Sequence, residues 1–165
     1  MLSRLKGLIV LALLCLAPLA HADLQRLQTL HEFRSEGYTV GTYLLIDNNL
    51  YERIREPGNR ETYREALARM ENLLRQMDSP SQLRAPFDAF VNLIIELEAL
   101  SDDEASYGLT TVNRIMMAHG ALDKATAAMY DELTESASED LLTLHRQSIE
   151  TSQILTLYQN NMFSS

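Results

Sequence analysis

Two histidines and several hydroxyl residues in the last third of the chain have the types and spacing that chemistry needs. His119 and Thr126 fall on the line Val112, Ile115, His119, Leu122, Thr126, Met129, Leu133. That line advances by three and four residues, so it marks one face of a helix. The next amphipathic stretch carries Leu141, Leu144, Ser148, Thr151, Leu155 and Tyr158 at the same spacing, with His145 and Ser152 adjoining. A turn near Ser136 would set His119 level with Ser152 or Gln153, and Thr126 level with His145 or Arg146. An imidazole facing hydroxyls inside a bundle has two uses. It fixes helix register through a satisfied polar layer, or it lines a small polar pocket between helices. His119, Thr126, His145, Ser148 and Ser152 are therefore the candidate ligand-binding residues.

Glu98 is a second candidate, as a buried carboxylate. On the helical wheel it falls between Phe87 and Val91, inside the apolar arc of its helix. Its place near the helix end favours reaching outward to water. Were it buried, desolvation would raise its pKa.

Motifs that would indicate catalysis or a cofactor are missing. A di-iron carboxylate bundle uses E-x-x-H pairs, but the residues three before His31, His119 and His145 are Gln28, Met116 and Leu142. There is no C-x-x-C-H for covalent haem. H-E-x-x-H fails at Ser35, and no phosphate-binding glycine loop or G-x-S-x-G occurs. The three acids at Asp102, Asp103 and Glu104 lack the rest of a calcium loop and read as a capped helix start. The sequence thus gives no catalytic residue, metal ligand or cofactor, and an enzyme is not expected.

The chain opens like an exported protein. Arg4 and Lys6 precede the apolar run Gly7–Leu16, Pro18 breaks it, and Ala20-His21-Ala22 forms an A-x-A site. That layout predicts a signal peptide over residues 1–22, cleaved after Ala22. The run is too short to span a bilayer, which takes about 20 apolar residues. Cys15 is the only cysteine, so the mature chain has none. The expected address is the bacterial periplasm, with no membrane insertion of the mature chain and one domain over residues 23–165.

Charge is unevenly spread. Without Arg4 and Lys6 the chain has 12 basic and 23 acidic residues, a net of −11. From Ala85 onward, only Arg114, Lys124 and Arg146 face 13 acids. Such a half does not suit nucleic acid, whose phosphates need a basic footprint.

The elements that must position these residues are all helices. Leu83, Phe87, Phe90, Ile94 and Leu97 share a face that Val91, Ile95, Leu93 and Leu100 widen past half the circumference. This is the pattern of a central helix covered on most sides. Before it, Asp23–Glu56 reads as one long helix, with a possible kink or break at Gly37 or at Asp47-Asn48-Asn49. Leu24, Leu27, Leu30, Phe33, Val40, Leu44 and Tyr51 line one side of it. Pro57-Gly58 reads as a turn, and Arg60–Met77 as a helix with Tyr63, Ala66, Met70, Leu73 and Met77 inside. Ser79 reads as an N-cap with Gln82 completing a capping box, and Pro86 predicts a kink. The last helix starts after Ser136 or Ser138.

The expectation is an all-α antiparallel bundle of four long helices plus a broken or kinked N-terminal helix. In size, helix count and compartment it is similar to the periplasmic sensor domains of bacterial chemoreceptors, with no motif matched residue by residue. Two functions fit. The first is a periplasmic adaptor acting through protein–protein contact or self-association. The second is a small-ligand binder built on the polar layer around His119.

Overall fold

The computed structural model describes the backbone of residues 2–48, 57–100 and 105–164, with side chains over 21–48, 58–100 and 109–162. Five helices pack as a bundle: α1 (Leu2–Asp47), α2 (Pro57–Gln76), α3 (Ser81–Glu98), α4 (Ala105–Asp131) and α5 (Glu139–Ser164). A single 3-10 turn, Thr134–Ser136, links α4 to α5. The side chains of residues 7–16, together with Tyr51 and the acids at 102–104, lie outside the described residues.

The heptad lines of α1 to α4 explain how the bundle closes. Leu30, Phe33, Val40 and Leu44 of α1 are buried against Tyr63, Met70 and Leu74 of α2. Leu83, Phe87, Phe90 and Ile94 of α3 and Val112, Ile115 and Leu122 of α4 complete the core. Each such side chain contributes roughly 1.5–3 kcal/mol by leaving water. Charge pairs cross from α1 to α2 and from α2 to α3. Arg60 meets Asp47, Arg69 meets Glu36, and Arg84 meets Glu71. These pairings make α1 and α2 antiparallel. Gly37 faces His119 and Gly41 faces Met116, so α4 also runs against α1.

The structure moves the centre of the bundle from α3 to α1. α1 packs on α2, α4 and α5, whereas α3 packs mainly on α4. Only Leu83, Phe87, Phe90, Ile94 and Leu97 of α3 are buried, and Ile95 is 57% exposed. A wide apolar arc marked α3 as central because sequence pattern counts apolar residues without showing how many neighbours exist. The N-terminal helix, α1, has no break at Gly37 or Gly41 and ends at the other expected point, Asp47. Both glycines are buried, Gly37 where α2 and α4 come close and Gly41 where α4 and α5 do.

Two helix starts also differ from expectation. Pro57 opens α2 instead of preceding it, as its fixed φ and missing donor permit in a first turn. α3 begins at Ser81 with Pro80 as its cap and no side-chain cap bond. Ser79 instead closes α2, its N–H donating to the Leu74 carbonyl at 2.8 Å. Asp78 and Ser79 both hold positive φ there, 61° and 47°.

α5 lies outside the four-helix ring, along α1. Its contacts with Gln28, Tyr38 and Thr42 climb in the same direction on both helices, so it runs parallel to α1. Ser138 caps it by accepting the Leu141 N–H at 3.3 Å. Its buried residues are His145, Ile149 and Thr156. The expected seam of Leu144, Ser148, Leu155 and Tyr158 is on a different, exposed side. α5 turns its polar edge inward because the surface of α1 that it meets is itself polar, with Gln28, Tyr38 and Thr42 offering hydrogen bonds.

Candidate functional site

The α4 seam forms as its spacing requires, with His119 and Thr126 buried among Val112, Ile115 and Leu122. The His119 ring packs edge-on against Tyr38, with centroids 4.8 Å apart, and tilts toward Phe90 at 5.7 Å. Burial drives its pKa down, opposed by Asp123 and by a hydrogen bond to the Gly37 backbone. Thr126 has no cross-helix partner; its hydroxyl donates to the Leu122 carbonyl at 2.9 Å, within its own helix. The two residues border one cavity of about 10 Å³, shared with Phe33, Gly37 and Met70. That space accommodates about one water molecule and no organic ligand.

At the rim of this cavity, Arg34 of α1 and Asp123 of α4 form a two-pronged ion pair at 2.8 and 3.2 Å. Their side chains are only 15% and 17% exposed, so the pair is a cross-helix clamp rather than a surface contact.

His145 belongs to a different cluster. Its Nε2 donates to Gln28 Oε1 at 3.0 Å, and its Nδ1 accepts the Tyr130 hydroxyl at 2.9 Å. These roles are those of the neutral ring, which burial favours by lowering the His145 pKa. The ring lies flat on His31 of α1, with centroids 3.8 Å apart and planes parallel. Burial, then the neighbouring His145 and Arg34, push His31 down to about 4, against a smaller upward pull from Glu32. Beside the stack opens a cleft of about 300 Å³ bordered by Arg34, Tyr130, Arg146 and Gln153.

The five candidate residues therefore do not converge on one place. His119 and Thr126 share the small interior cavity, and His145 sits on the α1–α5 contact. Ser148 is exposed, and Ser152 donates to the Ser148 carbonyl at 3.0 Å on its own helix. Sequence reasoning missed His31. Its signal is a second heptad line on α1 — Gln28, His31, Ser35, Tyr38, Thr42 — which is polar and faces α5. Three of its members bond α5: Gln28 to His145, Tyr38 to Gln153 at 3.0 Å, and Thr42 to Thr156 at 2.8 Å.

A scan against family models and searches against curated proteins and solved structures found no match.

Glu98 is partly buried, with its side chain 19% exposed. It accepts the Tyr63 hydroxyl at 2.8 Å and both prongs of Arg64 at 2.9 and 3.0 Å. Burial pushes its pKa up, but the bonds from Arg64 and Tyr63 outweigh that and hold it below the usual carboxylate value. The expected rise with burial is thus reversed by partners that the helical wheel of α3 does not show. The group locks α2 to α3 as an anion; a proton on it would weaken its pairing with Arg64.

What remains unmatched is the outer side of α5. Leu144, Ile154, Leu155, Leu157, Tyr158 and Met162 are exposed there, between 39% and 66%. Met117 of α4 is more exposed still, at 78%. Among the described residues no group of three or more His, Cys, Asp and Glu is placed to hold a metal, and no helix is long and apolar enough to cross a membrane.

Proposed function

We propose that this protein acts by binding another protein, and that the outer side of α5 is the surface it uses. One observation carries this reading: a helix packed along one side presents a row of large apolar side chains to water on the other. Single exposed apolar residues need no explanation, whereas a cluster such as Ile154, Leu155, Leu157 and Tyr158 on one helix is the usual mark of a docking surface. Leu144, Leu155, Tyr158 and Met162 fall on one three-and-four line that Ser148 and Thr151 complete, so the partner it fits is a helix with a heptad stripe. The filled interior at His119 supports contact over ligand capture, since a cavity of about 10 Å³ leaves a ligand no room. The role is non-catalytic, and its setting is the bacterial periplasm after cleavage behind Ala22. Both ring nitrogens of His145 are engaged in hydrogen bonds, which supports a structural role for that residue.

The test places a photo-crosslinking amino acid at Leu155 in living cells, in separate strains with and without Tyr158→Asp. The expected result is a discrete adduct that Tyr158→Asp abolishes. The crosslinked protein, once purified, should bind wild type at least tenfold more tightly than the Tyr158→Asp variant. Adducts indifferent to Tyr158→Asp would remove α5 from the reading. N-terminal sequencing of protein from the periplasmic fraction tests the address, with Asp23 expected as the first residue.

A further inference from the structure

We infer that the partner of α5 is α5 of a second copy of this chain, packed antiparallel about a two-fold axis beside Gln153. The inference rests on the reading of that surface given above. The outward residues are Leu144, Ser148, Thr151, Leu155, Tyr158 and Met162, spaced four, three, four, three, four. They alternate between the two seam positions of a heptad, the pattern that fits one helix against another. The side of α5 facing α1, with His145, Ile149 and Thr156, is turned about a third of a circle from this seam.

Pairing this seam with itself gives different layers in the two directions. In the parallel arrangement each residue meets its own copy, so Ser148 layers are empty and Tyr158 layers are crowded. In the antiparallel arrangement Leu144 meets Met162 of the second copy, Ser148 meets Tyr158, and Thr151 meets Leu155. Each layer then joins a smaller side chain to a larger one, or two of similar size, which keeps the helix separation even. The Ser148 hydroxyl is also placed to bond the Tyr158 phenol, so the seam's most polar layer is satisfied. A two-fold contact of this kind is self-complementary, as symmetric dimers require.

Charge points to the same occupant. The chain has a formal net charge of −9, so most contacts between two copies would be repulsive. From Thr151 to Ser165, however, there is no charged side chain. The positions flanking the seam, Gln147, Ile154 and Asn161 on one side and Ser152 and Gln159 on the other, are neutral as well. An acidic protein binding a basic partner would gain from acids at this rim; one binding itself gains from their absence.

The test uses sedimentation equilibrium and disulfide trapping on the full chain carrying Cys15→Ser. Wild type should dimerise with rising concentration over 1–100 µM, and Leu155→Glu should remain monomeric with unchanged helical circular dichroism. Leu144 and Met162 are 18 positions apart, about 27 Å along a helix. In the antiparallel dimer Leu144→Cys alone therefore forms no disulfide, while its mixture with Met162→Cys gives the heterodimer. Self-linking of Leu144→Cys would mean a parallel pair and overturn the arrangement. A wild-type chain that stays monomeric at 100 µM, with no trapped heterodimer, overturns the second copy as occupant. A different protein captured at Leu155 and lost with Tyr158→Asp would then leave the docking surface standing alone.

Discussion

At the level of single residues, the histidines are the groups whose state changes under mild conditions. His31, His119 and His145 all titrate below the ordinary histidine value of 6.5, with burial the largest cause in each case. A histidine whose folded pKa is depressed binds its proton more tightly in the unfolded chain. Its contribution to stability is complete above about pH 7 and is lost as pH falls through 6.5 toward the folded value. Protonating either ring of the stack also puts a cation against its neighbour, 3.8 Å away. We expect the urea midpoint to correspond to about 1–2 kcal/mol less stability at pH 5.0 than at 7.5. That figure is already reduced because His31 is half in water. His31→Asn should flatten the dependence without abolishing it, since His119 and His145 remain. A midpoint unchanged between the two pH values would refute the assignment of neutral, buried rings.

At the level of elements, the contrast between α4 and α5 shows what a sequence reveals about itself. The α4 seam was legible because apolar residues outnumber His119 and Thr126 on it, and Thr126 is satisfied within its own helix. The α5 seam has the same spacing, yet it faces water. Periodicity identifies a stripe but not whether a neighbour exists to cover it. The buried side of α5 is mixed — His145, Ile149, Thr156 — and only the matching polar line on α1 makes sense of it. Glu98 illustrates the same limit, because Tyr63 and Arg64 come from another helix. The contact between α1 and α5 depends on Gly41, where an added methyl would meet Met116 Cε at 3.5 Å and Thr156 Cγ2 at 3.6 Å. Those are ordinary contacts, so Gly41→Ala should fit and gain helix propensity of about 1 kcal/mol, raising Tm by a few degrees. Gly41→Leu has no such room. It should push α4 or α5 off α1 and lower stability by more than 1 kcal/mol. Thermal melts of both variants check this; if Leu is tolerated as well as Ala, the close approach at Gly41 is not a constraint.

At the level of the whole molecule, four helices close on one another and the fifth is added to their outside. α1 to α4 share a continuous apolar core, reinforced by the Arg34–Asp123 clamp. Among the described residues α5 buries only His145, Ile149 and Thr156, with polar bonds to Gln28, Tyr38, Thr42 and Tyr130, so its local opening should cost much less than global unfolding. Two of the features already described converge on this weak contact. The histidine stack loosens it in acid, and a second copy of α5 would brace it by covering the exposed seam. Hydrogen exchange by mass spectrometry separates the two effects. At micromolar concentration and pH 7.5, amides of α5 should exchange at least tenfold faster than those of α1 at Phe33–Leu44. Lowering the pH to 5.0 should widen that gap, because protonated His31 and His145 disfavour the packed state. Raising the protein concentration a hundredfold should narrow it, because dimerisation through α5 adds a mass-action term to its closed state. Uniform protection across all five helices, independent of pH and concentration, would mean that α5 is an integral part of the core. The exposed row of Leu155 and Tyr158 would then sit on a rigid wall, not on a helix that its partner stabilises.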